Sequence, residues 1–225
     1  LLKQSGSDVI FNLACRDMNK LAIQNHLLGA QVLGLENVIV VKGDDFTEDE
    51  LTNVKDVNDY QSTELIRAIK MLNQGIDYRG RTLQSPTHFC IGSTIDLNRD
   101  IKQEVKLTEN KINAGADFFI AQATHDITTI KQFLSHYKEI NERGLSAPVF
   151  YGVQILSEGS LTFGKLPSQI EEDLAKGKPG SDIATTLMQS MVDIGINTFY
   201  IIPPILRGGR RDYAAAQQTI RQFLR

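Results

Sequence analysis

Tryptophan is absent from the 225 residues, cysteine occurs twice and histidine four times. Cys15 and Cys90 form no Cys-x-x-Cys pair and have no histidine at zinc-ligand spacing. That excludes a disulfide framework and a zinc site, and predicts two reduced, buried thiols. His26, His88, His125 and His136 lie far apart, with no two at i, i+3 or i, i+4, so no metal site is expected. Charge of one sign is lacking too: 24 Lys and Arg stand against 27 Asp and Glu, for a net charge of −3. Without a basic stripe, neither nucleic acid nor an anionic membrane surface is expected as a partner. No apolar run approaches the roughly 20 residues of a membrane span, and no signal-peptide pattern appears. A cytoplasmic protein that binds small molecules at local sites is the expectation.

What is present is alternation. The runs 8–15, 37–44, 88–96, 116–122, 148–156 and 197–204 have the length and β-branched or aromatic content of strands. Between them lie helical patterns. Ile127, Ile130, Phe133, Leu134, Tyr137 and Ile140 share one face of 126–140, and Ile183, Leu187, Met191 and Ile194 share one face of 183–194. Gly34, Gly115, Gly144 and Gly195 each precede a strand and suit a left-handed helix cap. Residues 1–7 read as the last turn of a helix stopped by glycine, so the chain is expected to begin in mid-fold. Strand–helix repetition of this kind implies parallel strands joined by right-handed crossovers.

Six such units suit either a doubly wound open sheet or most of an eight-unit barrel. The first strand is followed by Cys15-Arg16-Asp17-Met18-Asn19-Lys20, where a dinucleotide-binding sheet would carry its glycine fingerprint. Polar residues instead follow nearly every strand: Arg16 and Asp17, Lys42 and Asp44, Asp96, Gln122, Gln154 and Arg207. In a barrel these ends converge on one mouth, so a TIM-type (β/α)8 barrel is predicted.

The most pointed stretch is Val38-Ile39-Val40-Val41-Lys42-Gly43-Asp44-Asp45-Phe46, in which a strand buried on both faces runs directly into charge. Gly43 lets the backbone approach a ligand, and Asp44 is either a ligand-facing carboxylate or the cap of a turn. Gln122 either reads a planar ligand edge or is a satisfied core amide. Lys111 contacts phosphate or lies on a solvated face. Arg207, between two prolines and two glycines, clamps an anion or caps the preceding helices.

The segments NLACRD (12–17), ENVIVVKGDD (36–45), INAGADFFIAQ (112–122) and PPILRGG (203–209) together resemble the methylenetetrahydrofolate reductase family. The resemblance implies an eight-stranded β/α barrel with FAD, which reduces 5,10-methylenetetrahydrofolate to 5-methyltetrahydrofolate with NAD(P)H in one-carbon and methionine metabolism. It places Lys42, Gly43 and Asp44 at the flavin-contacting turn, with Asp44 as the acid that tunes the flavin and stabilises an iminium on the folate. Asn12 and Thr94 fall at flavin contacts where the family commonly has histidine and tyrosine, and Lys42 replaces a common arginine. Glu104 and Lys111 fall on the helix that meets the FAD ribose and phosphates. Gln122, Gln154 and Arg207 fall at substrate contacts, and 157–166 at a shortened folate-covering loop. The family's proton-donating glutamate has no counterpart, so 1–225 is expected to be one partial barrel domain, strands three to eight, lacking about two units or roughly 70 residues upstream. A pterin-binding methyltransferase and a non-catalytic accessory subunit are the alternatives, with homo-oligomerisation left open.

Overall fold

The computed structural model describes residues 2–224. Six strands are formed: β1 (Ile10–Ala14), β2 (Asn37–Val41), β3 (Cys90–Ile95), β4 (Phe118–Ala121), β5 (Val149–Gln154) and β6 (Phe199–Ile202). They follow chain order across one sheet, β1-β2-β3-β4-β5-β6. A doubly wound sheet reverses its order at a switch point, whereas this sheet never does. That strand order is consistent with successive β/α units of a barrel. The described residues divide into two compact units, 2–94 with 106–119, and 95–105 with 120–224.

In the first unit β1, β2 and β3 pair in parallel, with Asn12 opposite Ile39 and Val40 opposite Ser93. Val38, Ile39 and Val40 are buried, as a strand apolar on successive residues requires. Helix α1 (Lys20–Val32) starts where the Asn19 side chain accepts from the Ala22 N–H at 2.9 Å. Gly34, at φ +72°, turns the chain out of it. Helix α2 (Ser62–Asn73) opens with the Gln61 N–H donating to Glu64 at 2.7 Å. Its Leu65, Ile66, Ile69 and Leu72 form one buried stripe. Each such side chain contributes about 1.5–3 kcal/mol of burial. Helix α3 (Ile101–Ala114) closes the connection from β3, and Gly115, at φ +109°, leads out of it. Gly92 is required in β3 because a Cβ there would lie 2.3 Å from the Phe118 ring.

In the second unit β5 and β6 pair in parallel, with Gln154 opposite Ile202. Helix α4 (Ile127–Asn141) is capped by Asp126, which accepts from the Thr128 N–H at 2.8 Å, and buries Ile130, Phe133 and Tyr137. After α5 (Ser168–Ala175), helix α6 (Gly180–Val192) buries Ile183, Ala184, Leu187, Met188 and Met191 and packs on β5, α4 and α7 (Tyr213–Phe223).

Three sequence expectations are corrected here. Gly144 is not a left-handed cap; α4 ends earlier, and Glu142, at φ 54°, takes that conformation. Cys90 is exposed whereas Cys15 is buried, because Cys90 opens β3 ahead of the buried Ile91. Ile140 and Ile194 are not buried, since the packed faces of α4 and α6 stop a turn earlier. The N-terminal expectation falls partly on Leu1, outside the described residues; within them, a 3-10 turn at Lys3–Ser5 ends at left-handed Gly6.

Candidate functional site

The exits of β1 and β2 are built around Arg16. Its Nε donates to Asp17 Oδ1 at 2.7 Å, its Nη1 donates to the Asp44 carbonyl, and its guanidinium lies 3.7 Å from the centre of the Phe46 ring. The Arg16 carbonyl also accepts from the Val57 N–H at 2.8 Å, tying the far end of the β2–α2 loop to the same residue. Gly43 adopts φ +87°, and a Cβ on it would lie 3.1 Å from Arg16 Cβ. The turn thus needs glycine twice, for its conformation and for the closeness of the arginine stem.

Lys42 pairs with Asp45 at 2.9 Å in an exposed i, i+3 contact, and this hydrogen bond lowers the Asp45 pKa. Glu50 is lowered likewise, first by the Thr47 backbone N–H and then by its hydroxyl. Asp44 has no such contact. Its carboxylate is exposed and makes no hydrogen bond or ion pair among the described residues. The turn-cap reading therefore does not hold for Asp44. Asn12 is also exposed, on the same side of β1 as Ala14, and its amide is uncommitted among the described residues.

Lys111 is only 3% exposed, and its Nζ donates to the Thr94 carbonyl. Neither role expected of it, phosphate contact or a solvated face, matches this placement. Glu104 is 2% exposed, and its Oε1 accepts from the Asp96 N–H at 3.1 Å. Both side chains of α3 fix backbone at the exit of β3, a different task from meeting the ribose and phosphates of a cofactor. The reason is packing: α3 lays these positions against the strand end, where a buried ionic group persists by finding polar partners. Thr94 is half-buried.

In the second unit Gln122 has its backbone N–H on Ile95 at 2.8 Å and its side chain exposed. That overturns the core-amide reading. Arg207 is exposed on a turn with Gly208 and Gly209, both at positive φ, and its guanidinium is uncommitted among the described residues. Gln154 is the opposite case, 2% exposed. Its Nε2 donates to the Leu161 carbonyl at 2.7 Å and its Oε1 accepts from the Phe163 N–H at 2.9 Å. Leu161 in turn donates to Ile205 at 2.8 Å, so 157–166 is stitched to the segment after β6. Gln154 secures a strap, which leaves its amide poorly placed to read a substrate.

Sequence reasoning missed two further residues. Arg16 was visible only as one charge at a strand end, although an aromatic residue just beyond the neighbouring strand was the clue to its stacking. His125 is buried behind β4 with its Nε2 lacking a hydrogen-bond partner; burial pushes its pKa down, and a hydrogen bond with Gln154 partly opposes this. Burial raises the Cys15 thiol and pushes Tyr151 up to about 12, so neither is a nucleophile at neutral pH. Among the described residues no cluster of His, Cys, Asp and Glu is arranged to hold a metal, and no helix is long and apolar enough to cross a membrane.

A glycine turn delivering one uncommitted carboxylate suits the edge of a polar heterocycle. The family model described as methylenetetrahydrofolate reductase matches residues 1–203. The chain belongs to the methylenetetrahydrofolate reductase family. It is 24% identical over 155 residues to methylenetetrahydrofolate reductase 1 of Schizosaccharomyces pombe, covering 65% of this chain and 22% of that protein. It is 24% identical over 194 residues to the probable methylenetetrahydrofolate reductase (NADPH) of Caenorhabditis elegans, covering 81% and 26%. The chain thus spans about a quarter of the length of the curated relatives it matches. Among solved structures, a Clostridium thermocellum protein described as binding two copies of 5-methyl-5,6,7,8-tetrahydrofolic acid aligns with a TM-score of 0.42 at 18% identity, over 90% of this chain and 92% of that one.

Proposed function

We propose that the protein is an FAD-dependent reductase that uses NAD(P)H to convert 5,10-methylenetetrahydrofolate to 5-methyltetrahydrofolate, and that this chain supplies strands three to eight of a (β/α)8 barrel. Family membership and the unreversed strand order support the reading. The observation that carries it is Asp44, a carboxylate held at a strand exit with no structural partner of its own.

The residues fit the ring of the cofactor better than its phosphates. Asn12 and Asp44 leave an amide and a carboxylate open to a polar ring edge, whereas Lys111 is buried on Thr94 and unavailable to a phosphate. FAD, when bound, supplies the two-electron relay between nicotinamide and folate. The Asp44 carboxylate disfavours added negative charge beside it and stabilises positive charge on the one-carbon unit, so both effects favour hydride delivery to the folate. In the second unit the exposed Gln122 and Arg207 are the residues that the family resemblance assigns to substrate, one an amide with both donor and acceptor and the other a planar fork for an anion. Glu104, Lys111 and Gln154 hold the scaffold that presents these groups.

The test uses the protein expressed from its complete gene. It is expected to bind FAD, to lose the flavin absorbance band on anaerobic addition of NADPH or NADH, and to recover it with methylenetetrahydrofolate as 5-methyltetrahydrofolate forms. NADPH is the first donor to try, because the Caenorhabditis elegans relative is named for it. Failure to bind FAD, with folate still bound, would instead favour a methyltransferase or an accessory subunit.

A further inference from the structure

We infer that Arg16 is the positioning residue that orients the Asp44 carboxylate for the folate step, acting through the Asp44 carbonyl and the Phe46 ring. The inference rests on the role proposed above for Asp44. The Asp44 side chain has no tie of its own, so its direction is set by the backbone of the 43–46 turn. Among the described residues, the one hydrogen bond from another segment to that turn's backbone comes from Arg16 Nη1.

The guanidinium does three things at once that its shape permits: one edge takes Asp17, another takes the Asp44 carbonyl, and one face stacks on Phe46 at 3.7 Å. A lysine has a point charge and cannot supply both an edge and a face. Arg16 is itself confined. Its side chain is 23% exposed, and the absent Cβ of Gly43 leaves the room its stem occupies. The turn and the arginine are therefore mutually fitted, and displacing the guanidinium releases the backbone that aims Asp44.

The experiment compares Arg16→Met, Arg16→Lys, Asp44→Asn and the Arg16→Met/Asp44→Asn double variant in the complete protein. In flavin-free protein, Arg16→Met is expected to lower the NMR order parameters of the 43–47 backbone from the rigid range of about 0.85 toward about 0.6, because the turn loses the charge-assisted hydrogen bond at the Asp44 carbonyl. In reconstituted protein, reduction of methylenetetrahydrofolate should slow roughly 10- to 100-fold while reduction by the nicotinamide stays within about twofold, as expected of a misaimed group. Arg16→Lys should restore little, and the double variant should be no slower than Asp44→Asn alone. Unchanged order parameters, full rescue by lysine or multiplicative losses would overturn the inference. If Asp44→Asn slows the folate step and Arg16→Met does not, the inference fails alone. If Asp44→Asn has no effect on that step, the reading of Asp44 fails and the inference with it. Should Arg16→Met not fold, Phe46→Leu removes only the stacking face and is expected to shift the same half-reaction and the same amides to a smaller degree; no shift in either would overturn the inference.

Discussion

The exits of β2 and β5 hold the loops that follow them by opposite means. At β2 the holding group is a charged arginine from the neighbouring strand, partly exposed, gripping backbone from outside. At β5 it is a neutral amide from the strand itself, buried and closed on both sides by the strap 157–166. The contrast separates two tasks. A partly exposed ionic hold contributes little to stability but leaves the adjoining carboxylate in a polar setting where a ligand can reach it. A buried, satisfied amide commits its segment to one conformation, because any other would strand polar groups away from water. On this account the β2 exit does chemistry and the β5 exit is architecture.

Perturbing the two exits in turn sharpens the comparison, and the largest effect is expected at β5. Gly180 begins α6 beneath that exit, where a Cβ would lie 1.7 Å from the Leu156 carbonyl oxygen, which is backbone and cannot rotate away. Gly180→Ala should destabilise the fold by about 3 kcal/mol, read as a lowered urea midpoint. Gln154→Leu should follow at about 2–3 kcal/mol, since the Leu161 carbonyl and the Phe163 N–H lose their partner together. Limited proteolysis should then begin within 157–166. A strap cut no faster than in the parent protein would break the contrast.

His125 gives a smaller, pH-dependent effect at the same exit. Burial holds its pKa below the ordinary 6.5, so as pH falls through 6.5 the unfolded chain takes up a proton before the folded chain does. Stability is therefore full above that pH and declines toward pH 5, and His125→Phe should flatten this part of the profile. The smallest effect is expected at β2. Lys42→Gln removes an exposed pair with Asp45 and should leave the urea midpoint unchanged, while acid titration of Asp45 moves up toward its ordinary value.

How far the sequence foretold this arrangement follows from where each determinant lies. Strand runs, their alternation with helices and the Lys42-Gly43-Asp44 turn were legible because each is a local pattern, apolar period or glycine followed by charge. The buried state of Lys111 and Glu104 was not. It depends on α3 resting against the exit of β3, a packing fact that charge in a helix does not reveal. The hydrogen bonding of Gln154 was hidden for a related reason, since its partners are backbone groups of a loop that carries no motif. Arg16 was seen as a strand-end charge but not as a hub, because its contacts at Asp44 and Phe46 are 28 and 30 positions away in the chain and meet it only across the β1–β2 pair.

The central claim, that the β2 exit carries the chemistry, is tested most directly by rapid-mixing measurement of the two half-reactions in Asp44→Asn of the complete, flavin-loaded protein. The account predicts that reduction of methylenetetrahydrofolate slows by roughly 10- to 1000-fold, about 1.4–4 kcal/mol of transition-state stabilisation, with reduction by the nicotinamide little changed. Equal losses in both half-reactions, accompanied by a lowered melting temperature, would contradict it and make Asp44 a structural residue.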